Sequence, residues 1–158
     1  MQSLRELRDE TGAVLVEFVL VLPLLMVLLF GMLDFGKAYN YWIDETHLAA
    51  VGARYAAVNK NPGAAGGTTL QSWIASQANT TELKNGGTGS VPSALSVCID
   101  YPAGTASIGD PVRVKITSTY SFLSVLTAQI PGLTAKTMTS TATMRLEQLP
   151  TNFTANPC

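Results

Sequence analysis

Charge is scarce in this sequence and balanced where it occurs. Charged side chains make up 13% of the 158 residues, about half the ~25% usual in soluble domains. Ten basic and eleven acidic residues leave a net charge of −1. This supplies neither the basic patch or stripe of a nucleic-acid-binding protein nor an acidic interaction tail, so no nucleic-acid partner is expected. Histidine occurs once, at His47, and cysteine twice, at Cys98 and Cys158. A lone histidine far in sequence from both cysteines makes a zinc site unexpected. The two cysteines fit one disulfide if the C-terminal part lies outside the cytoplasm, and equally fit two unpaired small side chains. Catalytic patterns are lacking too. There is no HExxH and no GxSxG, and Gly86-Gly87-Thr88-Gly89 has neither the lysine nor the helix of a phosphate cradle. His47, beside Asp44 and Glu45, reads as a solvated helix residue. The chain is therefore expected not to be an enzyme and to carry no metal or cofactor.

What the sequence does have is one long apolar run, GAVLVEFVLVLPLLMVLLFGML, from Gly12 to Leu33. As a helix, residues 13–33 extend ~31 Å, enough to cross the hydrocarbon core of a bilayer. Pro23 is tolerated in such a helix. A secretory signal would have a shorter core followed by a small-x-small cleavage site. Here Asp34-Phe35-Gly36-Lys37 follows, and the leader mixes Arg5 and Arg8 with Glu6, Asp9 and Glu10. Arg5 and Arg8 on one side against Lys37 on the other give a small vote for a cytoplasmic N-terminus.

Glu17 is the one charge inside the run. An acid at a helix centre in a membrane costs ~2.5–3.5 kcal/mol, less towards the interface. Two readings account for it. The carboxylate can snorkel to the headgroups. Alternatively, it can meet a cation at the same depth, such as the new ammonium on Ala13 of a neighbouring subunit if the chain is cut after Gly12.

Arg-Asp-Glu-x-Gly, then Ala-Val-x-Val-Glu-Phe, a Leu-rich run with Pro, and Gly-x-Leu-Asp-Phe-Gly together resemble the TadE-like family, minor pilin-like proteins (pseudopilins) of the tight adherence, or Flp-type, pilus system. The resemblance spans about residues 8–147, because the closing Ala-Thr-Met-Arg-Leu-Glu resembles the last strand of such domains. It implies cleavage by a prepilin peptidase between Gly12 and Ala13, with Glu17 and Phe18 as the processing and assembly signature. It further implies other minor pseudopilins and the pilus machinery as partners. The implied location is the bacterial inner membrane, single pass, with the N-terminus cytoplasmic. The alternative is an uncleaved single-pass membrane protein whose outer domain binds a ligand or partner.

Beyond the run, Phe35, Ala38, Tyr39 and Trp42, then Ala49, Ala50, Ala53, Ala56 and Ala57, recur at helical spacing. The spacing predicts a continuous helix from Ala13 to about Val58, with Tyr39, Tyr41 and Trp42 as an interfacial aromatic belt. Gly31 and Gly36 suggest a joint. A loop at 59–69, a short amphipathic helix at 70–78 and a glycine-rich loop at 82–92 are expected next. Period-two runs at 95–101, 112–122 and 138–147 predict three strands, with a packed loop or short helix at 123–132. The expected architecture is α+β and pilin-like. It comprises a leader (1–12), a transmembrane helix (13–33), its extracytoplasmic continuation (34–58), and a small domain (59–158) with a three-stranded antiparallel sheet on the alanine stripe.

Overall fold

A 55-residue helix, α1 (Ser3–Ala57), dominates the computed structural model, which describes residues 3–123, 127, 132 and 134–156, with side chains from residue 12 onward. α1 starts ten residues before the expected first residue, Ala13, and runs on through Pro23. It ends in a Schellman arrangement. The Lys60 N–H donates to the Tyr55 carbonyl (2.9 Å) and the Asn59 N–H to the Ala56 carbonyl (3.1 Å). Asn59 takes the left-handed conformation (φ 52°) that usually calls for glycine. Its side chain accepts from the Thr151 and Asn152 N–H groups at 2.9 and 2.8 Å, so one residue both stops the helix and holds the C-terminal segment.

From Gly12 to Leu33 α1 stands bare. Its most apolar window has a mean hydropathy of 2.9 and none of it is buried. The C-terminal half carries the rest of the chain. A 3₁₀ turn (Ala64–Gly66) leads to α2 (Leu70–Ser76), capped by the Thr69 side chain, which accepts from the Ser72 N–H. α3 (Thr81–Asn85) follows, within a stretch expected to be a loop. The Thr80 hydroxyl caps it at the Leu83 N–H, and Leu83 is fully buried; a cap plus one anchoring leucine makes a helix too short for periodicity to reveal.

The three strands are β1 (Ser96–Asp100), β2 (Pro111–Ser121) and β3 (Ala135–Arg145), antiparallel in the order β1-β2-β3. In β2 the alternation is complete: Val112, Val114, Ile116, Ser118 and Tyr120 face inward, and the residues between them are half-exposed. On the other face, the Arg113 Nε donates to Asp100 Oδ1 at 2.9 Å, tying β2 to β1. The stretch at 123–132 lies largely outside the described residues.

The inward face of the sheet packs on α1. The buried face of the helix is Asp34, Tyr41, Asp44, Glu45, Leu48, Ala49, Gly52, Ala53, Ala56 and Ala57. The alanine part of the expected stripe is thus the packed face. The bulky part is not buried: Phe35, Tyr39 and Trp42 are 62, 60 and 45% exposed, although the Phe35 ring lies against Phe122. Small residues let the sheet approach closely here. A Cβ built on Gly52 would lie 2.7 Å from Ile74 Cδ1 and 3.1 Å from Val114 Cγ1.

Candidate assembly site on the long helix

β2 runs down α1 towards the bare half, and a series of contacts fixes its height. Val114 lies at Gly52. Ser118 donates its hydroxyl to Glu45. Tyr120 donates to Asp34 Oδ1 at 2.5 Å, and the Leu123 N–H donates to Asp34 Oδ2 at 2.8 Å. The Phe35 and Phe122 rings lie 5.7 Å apart. The domain therefore grips the helix from Ala57 to Asp34 and releases it at Leu33, where the apolar run ends.

The grip is unusually acidic. Asp34, Asp44 and Glu45 are 4, 2 and 0% exposed, and buried carboxylates need partners. Asp34 has two. Asp44 accepts from the Asn79 backbone and side-chain N–H groups, both at 2.8 Å. Glu45 has one, Ser118, and its Oε2 has none among the described residues. Burial raises the Glu45 carboxyl above its ordinary range, with Ser118 opposing and neighbouring Asp44 adding to the rise. Burial, then the hydrogen bond to Asp34, push the Tyr120 hydroxyl up as well.

Next to this grip, Lys37 Nζ sits 2.9 Å from Glu82 Oε2 and 5.7 Å from the centre of the Tyr41 ring. Tyr41 donates its hydroxyl to Glu82. That bond, then the one from Lys37, draws the Glu82 carboxyl down, and Glu82 in turn raises the Lys37 ammonium. Two expectations change. Lys37, counted from the sequence as the positive charge beyond the run, is paired with Glu82. Tyr41 is not part of an interfacial belt: it is 3% exposed and packs edge-on against Tyr120 at 5.8 Å. Tyr39 and Trp42 do remain outside, their rings 5.8 Å apart.

The residues singled out from the sequence occupy the opposite, bare half. Gly12 and Ala13 lie within continuous helix and are exposed. A Cβ on Gly12 would meet nothing within 4 Å, so the backbone there is not screened by side chains of the domain. Glu17 and Phe18 are exposed one turn further on. Among the described residues Glu17 has no hydrogen-bond or ion-pair partner, in contrast to the three acids of the grip. Cys98 is buried on β1, and its expected partner, Cys158, lies outside the described residues.

At the far end of the domain, an open cleft of about 710 Å³ runs between the 61–72 region and the 151–156 tail. Its lining holds no titratable side chain. Its amides are spent on the fold: Asn61 donates to the Thr68 carbonyl, Gln71 to that of Thr154 and Asn152 to that of Asn59. Such a cleft offers no acid–base pair.

Sequence reasoning took Asp34 only as the end of the apolar run and missed the roles of Asp44 and Glu45. Their spacing of ten and eleven residues, three helical turns, was the available signal, since it puts all three on one face. Their partners lie 35 to 89 residues away.

One helix among the described residues is long and apolar enough to cross a membrane, which fits a single-pass membrane protein. Residues 12–54 match the family model described as TadE-like protein. The matched stretch begins at Gly12 and ends inside the gripped half of α1. No curated protein and no solved structure is matched by this chain.

Proposed function

From the likeness of residues 12–54 to TadE-like proteins, we propose that this chain is a minor pilin-like (pseudopilin) membrane protein that acts in assembly of a tight adherence (Flp-type) pilus. A prepilin peptidase cuts it between Gly12 and Ala13 on the cytoplasmic face of the inner membrane. The rest remains anchored by residues 13–33, with residues 34–58 and the small domain outside. Its role is structural: it supplies a helix for lateral packing with related subunits, not a reaction centre.

The observation that carries this reading is the contrast among the acids of α1. Asp34, Asp44 and Glu45 are buried and bonded within the chain. Glu17 alone is exposed in an apolar run and lacks an internal partner among the described residues. A charge at that depth is costly unless a cation meets it. The ammonium created on Ala13 by cleavage lies one helical turn from Glu17. On a neighbouring subunit displaced by about one turn, the two groups come level. The pair then sets the register in which subunits join.

The test is Glu17→Gln, which removes the charge and keeps the shape. The full-length variant should insert like the parent, but should fail to co-purify with the other minor pseudopilins and should leave pilus assembly deficient. Normal assembly by this variant would show that the carboxylate is dispensable and would refute the pairing.

A further inference from the structure

We propose that the pole of the small domain built around the Asp34 clamp, namely Phe35, Phe122 and Leu123, seats in the lipid interface beside the spanning helix, so that the domain rests on the membrane and is not held away from it. This rests on the reading of residues 13–33 as the span. The argument is one of clearance. α1 is continuous through Leu33 and Asp34, and the domain takes hold at Asp34, where a carboxylate oxygen accepts from the Leu123 N–H at 2.8 Å. No spacer separates span from domain. Phe35 lies only about 3 Å of axial rise beyond Leu33, and the headgroup layer on each side of the hydrocarbon is about 5–7 Å deep. The Phe122 ring is held at the same height by Phe35.

The chemistry of this pole suits lipid. Phe35 and Leu123 are 62 and 45% exposed, and Met32 and Leu33, within one helical turn of Phe35, are 79 and 65% exposed. Charges at this level are hydrogen-bonded or paired within the chain, apart from Lys136, which stands opposite Tyr120 on β3 and is exposed, a cation suited to lipid phosphates. Asp34 is buried under Tyr120 and the Leu123 N–H, and Lys37 is paired with Glu82. A carboxylate capped by two donors at the edge of the apolar run presents no bare charge to the acyl chains. Tyr39 and Trp42, exposed one to two turns further out, lie about 9 and 13 Å of axial rise beyond Leu33, outside the headgroup layer. A second protein chain is the competing occupant, but continuity with the bare helix places lipid there first.

The experiment uses the full chain reconstituted in phosphatidylethanolamine–phosphatidylglycerol vesicles that contain lipid brominated near the carbonyl end of one acyl chain. Trp42 and Trp73 are the only tryptophans. In a W42F/W73F background, L123W and, separately, F35W place a reporter on the pole. F30W reports the span. W42F alone leaves Trp73, which packs on Tyr55 near the far end of α1. The expected result is loss of emission with a blue shift for L123W and F35W, loss for F30W, and full emission for Trp73. Full emission from both pole reporters while F30W is quenched would overturn the proposal and leave the span standing. The same outcome with a blue shift that grows with protein-to-lipid ratio would overturn it in favour of a protein cover. Full emission from F30W as well would remove the span and the proposal together.

Discussion

Glu45 is the residue whose chemistry departs furthest from what its position in the sequence suggests. It sits on a helix among alanines, yet it is fully buried, with one oxygen bonded to Ser118 and the other without a partner among the described residues. Its carboxyl is raised above the ordinary carboxylate range, chiefly by burial. The folded state therefore keeps this proton to higher pH than the unfolded chain does. The stabilisation is complete below the unfolded pKa and is lost as pH climbs through the folded one. Relative to Glu45→Gln, the solubilised full chain should lose thermal stability as pH rises from about 4.5 towards neutrality. Subtracting the two curves removes the acid-side losses from Glu82, Asp100 and Asp110, whose carboxyls are lowered. Parallel melting curves across that range would contradict this account of Glu45. A second residue-scale contrast concerns glycine. Gly52→Ala should destabilise because its Cβ would meet Ile74 and Val114. Gly36→Ala meets nothing within 4 Å and should stiffen the helix by about 1 kcal/mol. Equal melting temperatures for the two variants would refute the close-packing explanation. If Gly36 serves as a joint, its alanine variant should also alter assembly while remaining well folded.

At the scale of elements, α1 is two helices in one. From Gly12 to Leu33 it is apolar on all sides but for Glu17 and is unburied, while from Asp34 onward one face is buried and bears the sheet. The apolar run and the alternation of β2 were legible from the sequence because both depend on local spacing: twenty-one residues interrupted by one charge, and Val112-Arg113-Val114-Lys115-Ile116. The buried acids and the placing of Tyr41 were not. An aspartate at the edge of a membrane run is read as its end, and a tyrosine beside it as belt, unless one knows that Tyr120 will arrive from 86 residues away. Pairings of that range are set by the packing of β2 along the helix, which no window of residues contains. The clamp makes its own prediction. Asp34→Ala removes the acceptor of the Leu123 N–H and leaves the Tyr120 hydroxyl the residue 34 carbonyl at 3.3 Å, and should cost about 3 kcal/mol. It should also raise hydrogen exchange at the Leu123 end of β2 before the Pro111 end. Uniform exchange along β2 would contradict a local clamp.

At the scale of the whole molecule, a bare spine carries a domain closed at both ends, by Asp34 near the span and by Asn59 at the far end. The C-terminal tail completes it. Asn156 pairs with Ile99 through two backbone hydrogen bonds, of 2.8 and 3.2 Å, along the outer edge of β1. That brings the tail alongside Cys98, and we propose that Cys98 and Cys158 are joined there in an oxidising compartment. Thiol alkylation of the unreduced, denatured protein should label neither cysteine, and Cys98→Ser should cost about 2–5 kcal/mol; labelling of both would contradict the pairing. The central claim, however, concerns the other end of the chain. A spine made for packing against its neighbours requires the leader to be removed and a new ammonium to appear one turn from Glu17. The most direct measurement is the N-terminal sequence of the mature protein isolated from its native membranes with the prepilin peptidase present. The account predicts a chain beginning at Ala13. A chain that still begins at Met1 would contradict it and favour an uncleaved, singly anchored protein with a binding domain outside.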